Sequence, residues 1–227
     1  MYLFVCAMES EIITFLEKSK PTEVFKSKNF NLYKKNNHYF LITGIGKVNA
    51  AFALTHFLTK YNEGNTLKGI INIGVCGSVN KKLSICDVVM IDKAYYHDFD
   101  LTMFGYKYGQ VPGSHQFFEP ERNLHETIRA SLASWKPHSC NLATGDVFVQ
   151  KHNYFNELKI KHNIKIDVVD MEGTSYFHVA EKLTVPFIAI KIISDYIESD
   201  NNSNQYSENM AHATKIIQNI IERIINE

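Results

Sequence analysis

Short apolar runs alternate along this chain with segments whose apolar residues recur at helical spacing, and that alternation restricts the fold more than any other feature. Residues 2–6 (YLFVC) read as a buried strand and 9–17 as a helix. Strands follow near 22–27, 30–35 and 39–43, separated by short polar turns such as KNNH at 35–38. A helix over 48–61 carries Ala51, Leu54, Phe57 and Leu58 on one stripe. Then come a strand at 69–74, a longer one at 87–100, and a helix over 120–135 that Pro120 can open. A strand at 139–148 ends in a Gly-Asp turn, followed by a short helix over 151–159 and a strand at 166–170. A helix at 171–183 and a strand at 185–193 follow. A polar loop, 198–205, precedes a C-terminal helix over 206–225, with Met210, Ala213, Ile216, Ile217, Ile220 and Ile224 on one stripe. Strands separated by helices predict a mixed or parallel central sheet flanked by helices. No repeat, linker or composition shift divides the 227 residues, so one domain is expected over 1–227.

Composition excludes several classes of function. The hydrophobic share of 45% supports a substantial core, and the net charge of zero leaves no electrostatic footprint for nucleic acid or an anionic membrane surface. The longest apolar stretch, VPFIAIKII, is short and interrupted by Lys191, so a bilayer span is not expected. No basic segment precedes the first apolar run, which therefore does not read as a signal peptide. Cys6, Cys76, Cys86 and Cys140 form no CxxC pair, and two of them lie in apolar runs. Buried free thiols in a reducing compartment fit that pattern, which points to the cytoplasm. The ten histidines are scattered, and His97 with Asp98 and Asp100 supplies too few ligands for a closed metal site. Neither a metal nor a cofactor is expected.

Glu11, Glu172 and Asp195 stand just beyond or at the ends of apolar strands. In an open α/β sheet, ligands sit outside the carboxyl ends of the strands. Three carboxylates converging there suit acid/base work on a small polar ligand. Taken singly, each also suits the first turn of a helix, where an acid favours the dipole.

Two glycine-rich turns flank these acids. TGIGKVNA (43–50) is neither a P-loop nor a dinucleotide fingerprint: Val48 follows Lys47, and Asn49 stands where a third glycine is needed. It reads as a glycine turn entering a helix, with backbone donors that can meet a polar ligand. In GVCGSV (74–79), Gly74 and Gly77 let a flat ligand approach the backbone. YYHDFDLTMFGYKYGQVPG (95–113) is long and aromatic, which suits a pocket wall or a subunit interface better than a solvated loop.

AMESE (7–11), TGIGKVNAA (43–51), YHDFDLTMFGYKYGQVPG (96–113), TGDVFV (144–149), DMEGTSYFHVA (170–180) and VPFIAIKIISD (185–195) occur in that order. Together they resemble the bacterial 5′-methylthioadenosine/S-adenosylhomocysteine nucleosidases of the nucleoside phosphorylase/hydrolase superfamily. The resemblance covers essentially the whole chain, and the segment at 96–113 is its most specific part. It implies a single-domain three-layer α/β/α fold with a mixed central sheet, of the nucleoside phosphorylase/hydrolase type. It also implies hydrolysis of the N-glycosidic bond of methylthioadenosine and S-adenosylhomocysteine, with 5′-deoxyadenosine a further substrate.

The resemblance carries roles with it. Glu11 activates or holds the attacking water, Glu172 grips the ribose hydroxyls, and Asp195 protonates the purine at ring position 7. Ser194 and burial at the strand end would keep Asp195 in its protonated or hydrogen-bonded form. Phe148 stacks on adenine and Val149 offers backbone groups to the adenine edge. Met8, Ile45 and Met171 form apolar walls, with Cys76 and Gly77 beside the substrate. Phe104, Tyr106 and Pro112 match residues that reach across from a partner subunit to cover the 5′ end, which implies a homodimer. His97 is an alternative acid, and Tyr206 a candidate aromatic over the 5′ group, with 198–205 as a lid.

Three positions depart from the family pattern. Lys191 stands where arginine is common, with a flexible point charge in place of a rigid fork. Val75 replaces a frequent serine, and Gly173 stands where alanine is usual, which reads as a looser helix start. Related activities share the fold: a phosphorylase, an aminodeoxyfutalosine hydrolase, or a silent nucleoside-storage protein. A phosphate site usually recruits arginine, and the quoted motifs hold none.

Overall fold

Strands whose two faces are both apolar form the centre of the molecule. In β1 (Tyr2–Cys6), Leu3 and Val5 enter one core cluster while Phe4 and Cys6 enter another, so this strand is buried on both sides. The structure is a computed structural model that describes residues 1–62, 66–149, 153–197 and 202–226. Its sheet has ten strands in the order β10-β6-β8-β9-β5-β1-β4-β3-β2, with β7 paired to β6. The strands are β2 (Thr22–Lys26), β3 (Asn31–Lys35), β4 (His38–Ile42), β5 (Gly69–Ser78), β6 (Val88–Tyr96), β7 (Phe117–Phe118), β8 (His138–Thr144), β9 (Val168–Asp170) and β10 (Phe187–Tyr196). Parallel and antiparallel pairs are mixed: β5 runs parallel to β1 and β10 but antiparallel to β9.

Helices cover both faces. On one side α2 (Lys47–Tyr61) and α5 (Gly173–Lys182) bury Leu54, Phe57, Tyr176 and Phe177 against the sheet. On the other, α1 (Glu9–Ser19), α3 (Arg122–Ser131) and α6 (Asn202–Ile225) bury Phe15, Ile128, Ile217 and Ile220. A smaller cluster lies under α4 (Asn153–His162), where Phe155 and Leu158 meet Ala143, Val169 and Ile197. This is the mixed α/β architecture that the alternation predicts. Among the described residues, no helix is long and apolar enough to cross a membrane.

The sheet also closes on part of itself. β10 pairs with β5 as well as with β6, so β5, β9, β8, β6 and β10 form a ring. β10 consequently has a ladder on each side, with a register shift between Ile193 and Asp195.

Several boundaries move from the sequence reading. β5 continues past Gly74 to Ser78, because pairing with β10 carries the glycine-rich stretch as strand. β10 likewise runs to Tyr196 and takes Asp195 into the strand. β6 stops at Tyr96 and β8 at Thr144, at the last rung of their shared ladder. The helix expected over 120–135 is α3 followed by a 3₁₀ turn, Ala133–Trp135. Of the loop expected at 198–205, residues 198–201 lie outside the described residues, and α6 already starts at Asn202. Residues 151 and 152, expected to open a helix, also lie outside them.

Candidate active site

The ends of β1, β5, β9 and β10 surround a cleft of about 290 Å³. Glu11, Glu172 and Asp195 all line it, from α1, from the cap of α5 and from β10. Met8, Ile45, Cys76, Gly77, Phe148, Val149, Met171 and Ser194 line it as well, as do Val75 and Tyr206. Phe104, Tyr106 and Pro112 do not; they are exposed to solvent, Phe104 at 67%. Lys191 is also absent from the lining and lies buried beneath it.

Glu11 is held by backbone. Its Oε2 accepts from the Ala7 and Met8 amides at 2.9 and 3.0 Å, and its Oε1 from the Val75 amide at 3.0 Å. The bond to Met8 closes the first turn of α1 in the manner of half a capping box. The helix-capping and cleft-facing readings of this acid therefore coexist. Gly74 makes the approach possible: a Cβ there would lie 2.4 Å from Glu11 Oε1. Burial raises the Glu11 pKa, against the opposing pull of Lys191 and the three amides.

Glu172 occupies the N-cap of α5 but does not cap it with its side chain. Its Oε1 instead accepts from the Gly46 amide of the glycine turn at 2.8 Å. Asp170 takes over the helix start, accepting from the Gly173 amide at 3.0 Å and from Thr144 Oγ1 at 2.6 Å. Lys191 Nζ sits 2.9 Å from Asp170 Oδ2. Gly173 fits this junction, since a Cβ there would fall 2.6 Å from that same oxygen and 2.5 Å from Leu142 Cδ2. The glycine is therefore required by packing, and is not a loosened helix start. Glu172 is pushed up to about 8 by burial and then by the Asp170 charge, with Lys191 and the Gly46 amide opposing. Burial alone would lower the Lys191 pKa, but Asp170, Glu11 and Glu172 outweigh it and keep the ammonium charged.

Asp195 pairs with Gly77 in the β5 ladder, beyond the register shift that separates it from Ile193. Its Oδ1 accepts from Ser194 Oγ at 2.7 Å. Burial raises its pKa, with the Ser194 hydroxyl opposing. A carboxyl in this setting keeps its proton to higher pH than a solvated aspartate, as a general acid must. Asn209 of α6 donates to the Ser194 carbonyl at 2.9 Å, and Tyr206 reaches Met8 Sδ at 3.8 Å. Tyr206, pushed up to about 12 by burial and then by the carboxylates, stays a neutral phenol over the cleft.

His97 is buried in the angle between β6 and the Gly145 turn, against Phe155, and is not among the residues lining the cleft. Among the described residues no group of three or more potential metal ligands gathers. Sequence reasoning gave no separate role to Asp170; its only signal was its place in the DME string. It also left Lys47, Asp98 and Asp146 apart, although Lys47 Nζ lies 2.6 Å from Asp98 Oδ2 and 3.8 Å from Asp146 Oδ2.

Comparison with known proteins gives the family. The sequence profile of the Phosphorylase superfamily matches residues 2–226. A 5′-methylthioadenosine/S-adenosylhomocysteine nucleosidase of Buchnera aphidicola subsp. Schizaphis graminum is 35% identical over 208 residues, covering 89% of this chain and 86% of that protein. The crystal structure of the nucleosidase of that name from Neisseria meningitidis, in complex with methylthio-immucillin-A, superposes with a TM-score of 0.88 at 26% identity, covering 99% of this chain and 97% of the other. A candidate nucleosidase of the same kind from Borrelia burgdorferi B31, bound to adenine, gives 0.87 at 30% identity, covering 100% and 99%. The chain belongs to the phosphorylase superfamily and, within it, to the 5′-methylthioadenosine/S-adenosylhomocysteine nucleosidases.

Proposed function

We propose that this chain hydrolyses the N-glycosidic bond of 5′-methylthioadenosine and S-adenosylhomocysteine, and of 5′-deoxyadenosine, releasing adenine and the 5′-substituted ribose. One observation carries the reading: Glu11, Glu172 and Asp195 line a single cleft, and burial raises the pKa of each. Breaking the bond leaves an electron pair on the purine and an oxocarbenium-like sugar. Asp195 delivers its proton to purine ring position 7, which neutralises the departing base. Glu11 orients water and accepts its proton as the oxygen attacks the anomeric carbon. Glu172, fixed through Gly46, grips the ribose hydroxyls. Met8, Met171 and Ile45 suit a thioether, while Phe148, at the lip and 46% exposed, suits stacking on adenine.

Hydrolysis fits better than phosphorolysis, because the nearby ammonium of Lys191 is already engaged by Asp170 beneath the cleft. The reading includes a homodimer, whose partner would use the exposed Phe104, Tyr106 and Pro112 to cover the 5′ end, and a cytoplasmic location suited to four free thiols. Adenine release from methylthioadenosine, followed by a coupled assay, is expected to proceed equally with and without inorganic phosphate. Asp195→Asn is expected to lose at least about 100-fold in turnover. Near-normal turnover in that variant would remove the acid role, dependence on phosphate would favour a phosphorylase, and sedimentation as a monomer would remove the dimer.

A further inference from the structure

The reaction leaves one built feature of the cleft rim unused. Lys47, Asp98 and Asp146 come from three separate segments: the first residue of α2 after the glycine turn, the aromatic segment just past the end of β6, and the turn that carries Phe148 and Val149. They meet in one cluster. Lys47 Nζ is 2.6 Å from Asp98 Oδ2, and the Lys47 amide donates to Asp146 Oδ1 at 2.8 Å. The Asp146 amide in turn donates to Asp98 Oδ2 at 2.8 Å. The Lys47 ammonium also lies 5.6 Å from the centroid of the Tyr96 ring. Lys47 and Asp98 are less than a quarter exposed, so the pair is shielded from bulk water more than an ordinary surface pair.

The cluster stands within two residues of each half of the substrate site. Gly46, next to Lys47, gives its amide to Glu172, the ribose-gripping acid. Asp146 stands two residues before Phe148, the residue placed against adenine. We infer that Lys47, bridging Asp98 and Asp146, is a positioning residue that holds the ribose-binding and adenine-binding turns in register. Without the ammonium, two carboxylates would face each other across the junction, held only by the Lys47 and Asp146 amides, and the register of the two turns would loosen. The damage should fall on binding, because neither Asp195 nor Glu11 touches the cluster. This deepens the nucleosidase reading and rests on it.

Two measurements on the full chain test the inference: steady-state kinetics with methylthioadenosine, and calorimetric titration with free adenine. Lys47→Met is expected to raise KM and weaken adenine binding about 10- to 100-fold, with a smaller loss in kcat. Lys47→Arg, which can reach both carboxylates, is expected to recover most of the loss. Asp98→Asn is expected to show the same split more weakly, and its effect should be less than additive with Lys47→Met. An unchanged KM and adenine affinity in folded Lys47→Met, additive effects in the double variant, or a loss confined to kcat would each overturn it. Should Lys47→Met fail to fold, Asp98→Asn alone decides through its adenine titration. Failure of the wild-type chain to release adenine would count against the nucleosidase reading instead, and the titration would still report on the clamp.

Discussion

Glu11 shows how closely one residue depends on another in this cleft. Its carboxylate is surrounded by three backbone donors and lies against the bare Cα of Gly74. A methyl group at position 74 has nowhere to go, because the contacted oxygen belongs to a carboxylate already fixed on both sides. Gly74→Ala is therefore expected to leave a folded protein that has lost about 100-fold in turnover, by displacing the group proposed to hold the water. Circular dichroism and the adenine-release assay together check this; a variant with wild-type turnover would show that Glu11 tolerates the shift. The three acids and the glycine turns of the cleft were legible as strand ends that have a physical reason to meet, whereas Met8, Ile45, Phe148, Val149 and Met171 followed only from the family resemblance. Asp170 and the Lys47 cluster were not legible. Their meaning comes from contacts between segments 26 to 99 residues apart in sequence: Asp170–Thr144 at 26, Asp98–Asp146 at 48, Lys47–Asp98 at 51 and Lys47–Asp146 at 99.

Elements with strong period were placed well: the α6 stripe and Leu54, Phe57 and Leu58 of α2 face the core, although Ala50 and Ala53 are buried there while Ala51 is only half-buried. The misplaced boundaries lie where a neighbour decides the outcome. Two glycines weaken β5 as an isolated strand, but paired strands on both sides hold it to Ser78. β7, only two residues long, exists through its pairing with β6 and carries no local signal of its own. α6 begins in polar sequence with poor helix formers, which hides its start. This helix also ties stability to the cleft, since it carries Tyr206 and Asn209 at one end and fully buried Ile217, Ile220 and Ile221 further along. Ile217→Ala is expected to cost about 2–5 kcal/mol by leaving a cavity against the sheet. Urea unfolding measures this; a loss well under 1 kcal/mol would show that α6 can close the gap.

At the scale of the whole molecule, burying several carboxyls around one ammonium links stability to pH. Glu172, raised to about 8, binds its proton more tightly in the folded chain than in the unfolded one, and Glu11 and Asp195 shift in the same direction. The corresponding stabilisation is complete below the ordinary carboxylate range and is lost as pH rises through the folded values. The ligand-free protein is expected to show a falling Tm between about pH 5 and pH 8, and Glu172→Gln to flatten that decline. Scanning calorimetry across this range checks it; an equal slope in the variant would place the linked proton elsewhere. The ring formed by β5, β9, β8, β6 and β10 gives the enzyme a second property. Asp195, the proposed proton donor, rides on a strand clasped from both flanks, whereas the surfaces proposed to meet the nucleoside's two ends are connections outside that hoop. Selection can therefore retune which thioether is accepted by editing the connections, while the bond-breaking apparatus stays in place, so descendants of such a chain can diverge in diet without relearning their chemistry.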